Sequence, residues 1–140
     1  MVIKGILDAE DARRAVDTGC DAIVVSNHGG RQLDGALSSI KMLPQIVSAV
    51  GDQVEVHMDG GIRSGQDVLK AIALGAKGTY VGRPFIYGLG ADGQAGVTTA
   101  LNIIAKELDT TMALCGERLL GNLNRDNLLM PASFEDTYYT

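Results

Sequence analysis

Four short apolar segments, each followed by a polar turn that contains glycine, constrain the fold of this chain more than any other feature. The segments are strand-like and span residues 2–5, 22–26, 54–59 and 78–82. Apolar strands without polar alternation are typical of parallel sheets that are covered on both faces. Helix-like segments separate the strands, so we expect repeated β/α units with right-handed crossovers. The pattern predicts an α/β fold, either a (β/α) barrel or a doubly wound sheet.

The second pair of strands echoes the first. In the first unit Asp8 is placed to cap a helix that Gly19 ends, and in the second Ser64 and Asp67 have the spacing of a capping box before a helix that ends at Gly75. A shift of 56 residues superimposes Gly5 on Gly61, Ile6 on Ile62, Asp11 on Asp67, Ala15 on Ala71, Gly19 on Gly75 and Val25 on Val81. Four such units correspond to half of an eightfold barrel.

The length of 140 residues suits one domain with a hydrophobic core and is short for two. Residues 1–129 are predicted to form that unit, with 96–108 and 110–115 as closing helices. Residues 130–140 show no periodicity, which predicts a flexible tail.

Composition excludes several functional classes. A net charge of −5 with 12 Lys and Arg residues argues against a nucleic-acid surface. The chain has no apolar run near the ~18 residues of a membrane span and no signal peptide at its start, so we expect a cytoplasmic protein, with peripheral attachment to the inner membrane left open for a full-length form. Cys20 and Cys115 lack metal-binding spacing and are predicted to be buried free thiols, and no metal site is expected.

The loop at residues 26–34, SNHGGRQLD, follows the second strand where barrels place their active sites. A histidine such as His28 can accept a proton from a carbinol, and Arg31 can hold a carboxylate in a two-pronged geometry. The alternative is a solvated turn that merely requires glycines.

The third and fourth strands both end in glycine followed by arginine, in Gly60-Gly61-Ile62-Arg63 and Gly82-Arg83. Free backbone N–H groups at a helix start, together with two guanidinium groups, suit a phosphate dianion. Each pair taken alone is more often a turn with a surface cation. Their common register favours a phosphate site.

Two further polar residues interrupt apolar strands. Lys4 lies at the end of the first strand, where a lone ammonium is costly without a negative partner, although its head could also reach water at the rim. His57 lies between Val56 and Met58 and is interpreted as a packing histidine without a functional role.

These stretches together resemble the FMN-dependent α-hydroxy-acid dehydrogenase family, of the L-lactate dehydrogenase and glycolate oxidase type. The similarity covers residues 1 to about 129. It is carried by VIKGI at 2–6, VVSNHGGRQLDG at 24–35, DGGIRSGQDVLKAIALGA at 59–76 and VGRPFIYGL at 81–89. The SNHGGRQLD stretch is the most specific, because other phosphate-binding barrels share GGIR or GR.

The resemblance implies that FMN is the cofactor. It makes Lys4 the cation beside the flavin ring, with Ser26 also contacting the flavin, and it implies His28 as the catalytic base and Arg31 as the anchor of the substrate carboxylate. It also implies that Asp59 contacts the ribityl chain and that the phosphate is held by Gly61, Arg63, Gly82 and Arg83. Gly60 is implied as a further cofactor-binding residue.

The implied reaction oxidises an (S)-2-hydroxy acid, such as L-lactate or glycolate, to the 2-oxo acid. The chain resembles only the C-terminal half of such an enzyme, the last four β/α units of the barrel. We therefore expect activity only within a complete barrel. Two alternatives remain. One is an FMN-binding or phosphate-binding half-barrel without catalysis, which could form a homodimer. The other is a different phosphate-binding barrel such as an isomerase.

Overall fold

The protein forms one parallel sheet with helices packed along it, as seen in a computed structural model that describes residues 1–134. The strands are β1 Val2–Ile6, β2 Ala22–Val25, β3 Glu55–Met58 and β4 Gly78–Thr79. The helices are α1 Ala9–Asp17, α2 Ser39–Val50, α3 Gly65–Ala73 and α4 Arg83–Leu114. The sheet order is β1-β2-β3-β4 and every pairing is parallel. The expected α/β class with a parallel sheet is confirmed.

The predicted caps define the first and third helices. Asp8 accepts hydrogen bonds from the backbone N–H groups of Glu10 and Asp11, and Ser64 forms a capping box with Asp67. The two helices superimpose under the 56-residue shift, since Ala9–Asp17 maps onto Gly65–Ala73. The internal repeat is therefore a structural one.

The core lies between the sheet and the helices. Side chains at alternate positions of β2 and β3 point to this side, and they pack with buried residues of α1, α2 and α3: Ile23, Val25, Val56, Met58, Ala12, Ala15, Leu43, Ile46 and Ala71. The helices thus cover one face of the sheet. The expectation of strands buried on both faces is met by β2 only, because Glu55 on β3 is exposed.

The fourth unit differs most from its prediction. The strand is Gly78–Thr79 rather than 78–82. α4 consists of two helical segments, and the second runs without a break through residue 109, where the two closing helices expected at 96–108 and 110–115 would have been separated. α4 is bent at Asp92 and Gly93, whose backbone angles are non-helical. The bend brings Gly88 against Gly96, and a Cβ on Gly96 would lie 1.9 Å from the Gly88 carbonyl oxygen. Sequence periodicity does not reveal this contact, because it depends on the absence of side chains.

Two other expectations change. Cys20 is buried as predicted, but Cys115 follows the last turn of α4 and is exposed. In the segment predicted to be a flexible tail, residues 130–134 include a short 3-10 turn, and Met130 and Phe134 pack against the core. This part is therefore anchored, while residues 135–140 lie outside the described residues.

Gly65, the first residue of α3, packs directly against the backbone of α4. A Cβ there would lie 1.9 Å from the backbone nitrogen of Leu108. We expect Gly65→Ala to lower the free energy of unfolding by ~1–3 kcal/mol, because the two helices must separate.

Gly90→Ala is the matched control, since a Cβ at Gly90 on α4 meets nothing within 4 Å. It should be neutral or stabilising by up to ~1 kcal/mol. Urea unfolding followed by circular dichroism measures both changes. Equal midpoints for the two variants would show that the α3–α4 contact is not tight.

Candidate cofactor and substrate site

An ion pair joins the carboxyl ends of β1 and β3. The Lys4 ammonium lies 2.5 Å from an oxygen of the Asp59 carboxylate. It also donates a hydrogen bond of 2.7 Å to the hydroxyl of Ser26, which directly follows β2, the strand between them. The pairing of β1 with β2 is irregular between Lys4 and Ile6, around Gly5 with φ +97°. The contacts of Lys4 with Asp59 and Ser26 thus join the carboxyl ends of β1, β2 and β3.

The Asp59 carboxylate is only half satisfied. One oxygen pairs with Lys4, whereas the other, Oδ1, is buried and has no hydrogen-bond partner among the described residues. A buried acceptor without a donor costs on the order of 1–3 kcal/mol. The site is therefore built to accept a hydrogen bond from a further group.

The loop after β2 is held by its own polar side chains. Ser26, which is 2% exposed, accepts a second hydrogen bond, from the backbone N–H of His28 at 3.0 Å. The Asn27 side chain accepts from the Gly29 N–H at 3.0 Å, and the Asn27 N–H donates to Ser39 Oγ at 3.2 Å. These contacts hold His28 at φ +54°, a left-handed conformation that is uncommon for a residue with a side chain.

The next loop packs directly against this one. A Cβ on Gly60, which has φ +85°, would lie 2.9 Å from Ser39 Oγ and 3.2 Å from Asn27 Oδ1. Gly61 also has a positive φ, but a Cβ there would meet nothing within 4 Å. Gly60 is thus required by the packing of the two loops, and Gly61 leaves open space in front of the backbone.

The two helices that begin at this edge have different N-termini. At α3 the Ser64 and Asp67 side chains bond the first turn, and Glu107 of α4 accepts a hydrogen bond of 2.9 Å from the Gly65 N–H. At α4 the cap residue is Gly82, which offers no side chain. A Cβ on Gly82 would meet nothing within 4 Å. The N-terminus of α4 is therefore the more accessible of the two to an anion.

Two adjoining clefts collect the predicted site residues. The lysine cleft, of about 460 Å³, is lined by Lys4, Gly5, Leu7, Ser26, Asn27, His28, Gln32, Leu33 and Ala36. The arginine cleft, of about 430 Å³, is lined by His28, Gly29, Arg31, Asp59, Gly60, Gly61, Ile62, Arg63, Tyr80, Val81, Gly82, Arg83, Pro84, Phe85 and Ile86. His28 lies on the boundary of both. Arg31 lines the same cleft as Arg63 and Arg83, and it does not line the lysine cleft.

Three residues of this site were not predicted from the sequence. Asn27 and Ser39 brace the loops, and Tyr80 lines the arginine cleft. Asn27 carried a signal, since asparagine favours capping positions before glycines. His57, interpreted from sequence as a packing residue, is half-buried and hydrogen-bonded to Glu55 and Tyr80.

Comparison with known proteins identifies the family. A family model described as FMN-dependent dehydrogenase matches residues 1–130. The chain belongs to this family. Among curated relatives, the L-lactate dehydrogenase of Azorhizobium caulinodans is 57% identical over 129 residues, which are 92% of this chain and 34% of the relative. The L-lactate oxidase of a Nostoc species is 55% identical over 116 residues, or 83% of this chain and 32% of the relative.

Solved structures of the family have the same fold. A crystal structure of a mandelate oxidase variant with 2-hydroxy-phenylacetamide aligns with a TM-score of 0.86 and 57% identity over 89% of this chain and 37% of that one. A second variant, with a monooxide FMN adduct, aligns with a TM-score of 0.85. This chain spans about a third of the length of the curated relatives it matches.

Other site types are not evident in the described part of the chain. Within residues 1–134, no group of three or more His, Cys, Asp or Glu side chains is arranged to hold a metal ion. None of the helices described there combines the length and apolarity that a membrane crossing requires.

Ser26 connects the ion pair to the His28 loop, and its removal tests that connection. We expect Ser26→Ala to lower the free energy of unfolding by ~1–3 kcal/mol, because a buried acceptor of two hydrogen bonds is lost. The His28 amide should also exchange faster with deuterated solvent.

Ser48→Ala, on the exposed side of α2, makes the same chemical change outside the site and should have little effect on either quantity. The His28 amide exchanging at the same rate in both variants would contradict the connection.

Proposed function

We propose that this chain is the FMN-binding half of a barrel enzyme that oxidises an (S)-2-hydroxy acid, such as L-lactate or glycolate, to the 2-oxo acid. Its four β/α units would be the last four of a (β/α)8 barrel, and catalysis would require the complete barrel. The observation that carries the proposal is the placement of every predicted site residue on two clefts that share His28. The family relationship supplies the reaction class.

The arginine cleft suits the phosphate of FMN. Arg63 and Arg83 both line it, and the N–H groups at the start of α4 have no capping side chain. The open space in front of Gly61 and Gly82 would let phosphate oxygens reach the backbone. Because Glu107 and Ser64 occupy the first turn of α3, we assign the phosphate to α4.

The strand ends suit the ribityl chain and the ring. Asp59 Oδ1 lacks a donor, and a ribityl hydroxyl would provide one. Lys4, paired with the other oxygen of Asp59, would place its positive charge beside the ring. When bound, FMN would accept the two electrons that leave the substrate.

His28 and Arg31 would act on the substrate. His28 would accept a proton from the 2-hydroxy acid, and Arg31 would bind its carboxylate through two hydrogen bonds. The backbone of His28 is fixed by Ser26 and Asn27, but its imidazole has no hydrogen-bond partner among the described residues. A catalytic histidine is commonly oriented by a carboxylate, so we expect that group to come from the rest of the barrel.

The unoriented imidazole also favours a second candidate function. The chain alone would bind FMN or phosphate without turnover, and two half-barrels could complete each other as a homodimer. The residues of this chain that would hold the cofactor are already brought together, since the ion pair and the arginine cleft are formed.

Anaerobic addition of L-lactate or glycolate to the FMN-loaded chain tests whether turnover requires the complete barrel. Bleaching of the flavin absorbance by this chain alone would contradict both that requirement and binding without turnover, whereas both functions expect the flavin to stay oxidised. In a full-length relative, replacement of the residue aligned with His28 by alanine should abolish bleaching and leave FMN bound.

Removal of one guanidinium tests the phosphate assignment. We expect Arg83→Gln to weaken FMN binding roughly tenfold, because a charge-assisted hydrogen bond to the phosphate is lost. FMN fluorescence quenching measures the change.

Arg118→Gln is the control for net charge, since Arg118 lines a separate surface cavity with Asp109 and Glu117 at the C-terminal end of α4. It should leave the FMN affinity unaltered. An equal loss of FMN affinity in the two variants would mean that only the net charge matters, and it would contradict the assignment of the phosphate to the start of α4.

A further inference from the structure

The face of the sheet opposite the helices carries a row of polar side chains. Val56 and Met58 of β3 are buried beneath the helices, so Glu55 and His57 point to the other side. Tyr80 directly follows the short strand β4, which pairs with β3. His57 contacts both Glu55 and Tyr80, although the sequence offered no motif for the three residues.

The contacts form a directed chain of hydrogen bonds. His57 Nε2 lies 3.0 Å from the Glu55 carboxylate, and His57 Nδ1 lies 3.0 Å from the Tyr80 hydroxyl. A carboxylate only accepts, so Nε2 carries the hydrogen and donates to Glu55. In the neutral ring Nδ1 is then an acceptor, and the Tyr80 O–H donates to it.

Packing restricts the imidazole at the centre of this chain. The His57 side chain is 18% exposed, and its ring lies over Gly78, where a Cβ would be 3.6 Å from the ring atoms. The His57 and Tyr80 rings are tilted by 40° with their centroids 5.7 Å apart. The histidine is therefore a fixed support for the phenol.

Tyr80 reaches from this support into the arginine cleft, which it lines together with Asp59 and Gly82. The residue is 46% exposed, so without a fixed partner its ring could adopt other rotamers. With its hydrogen donated to His57, the phenolic oxygen keeps lone pairs that can accept a hydrogen bond. The aromatic ring adds a rigid apolar surface at low entropic cost.

We infer that Tyr80 contacts the cofactor in the arginine cleft and that Glu55 and His57 are positioning residues that fix its ring. The inference rests on the proposed function, because it deepens the description of the same cleft. A purely structural network would only join β3 to β4, and it would leave cofactor affinity independent of the Tyr80 hydroxyl.

The first test compares two tyrosines. Tyr80→Phe should weaken FMN binding roughly threefold to tenfold, as expected for the loss of a hydrogen bond that positions a contact residue, while Tyr87→Phe should leave it unchanged. Tyr87 is 69% exposed on α4 and does not line the cleft. Equal FMN affinities of Tyr80→Phe and the unaltered chain would overturn the inference.

The second test uses two replacements of His57. Glutamine keeps an acceptor for the phenol and a donor for Glu55, whereas leucine keeps only volume. We expect His57→Gln to retain more FMN affinity than His57→Leu, with a difference of roughly threefold or more. Equal affinities would contradict a positioning role.

A readout without FMN separates this inference from the proposed function. Nitrogen-15 NMR of the His57 ring should show hydrogen on Nε2 and a hydrogen-bonded, unprotonated Nδ1 whose resonance moves in Tyr80→Phe. Hydrogen on Nδ1 would overturn the network even if FMN binds. If the unaltered chain binds no FMN, the proposed function and the cofactor contact of Tyr80 both fail, and the spectrum alone decides the network.

Discussion

Parallel pairing of the four strands is the constraint on which the rest of the structure depends. Because all four carboxyl ends lie at one edge, side chains that are far apart in sequence, such as Lys4, Ser26 and Asp59, become neighbours. The ion pair between Lys4 and Asp59 then connects β1 to β3 across β2. Ser26 transmits this connection to the His28 loop through its second hydrogen bond.

At this edge of the sheet some polar groups have all their hydrogen-bond partners and others lack one. The loops are braced by Asn27 and Ser39, and the start of α3 is bonded by Ser64 and Glu107. In contrast, one oxygen of Asp59 is buried without a donor, and the start of α4 has no capping side chain. Unsatisfied groups that are held rigidly by satisfied ones are what a preorganised binding site requires. The unmet groups lie where the proposed ribityl chain and phosphate would supply their partners.

Sequence patterns predicted much of this arrangement, because they reflect local rules. The caps of α1 and α3 depend on a few adjacent residues, and the 56-residue repeat maps one helix onto the other. The predicted course of α4 was wrong. Gly88 and Gly96 approach closely through their backbones, and a contact without side chains leaves no periodic signal in the sequence. The hydrogen bond between His57 and Tyr80 was also missed, because the pairing of β3 with β4 decides which residues meet. The roles assigned to the site residues stay predictions.

In the proposed function FMN binds at the carboxyl edge of the sheet, with its phosphate at the start of α4. The most direct measurement is a map of backbone amide chemical shifts of the chain as FMN is added. We expect the largest changes in chemical shift at Gly61, Gly82 and Arg83, and smaller changes at Lys4 and Asp59. Changes centred on the cavity around Arg118, or no saturable change, would contradict it.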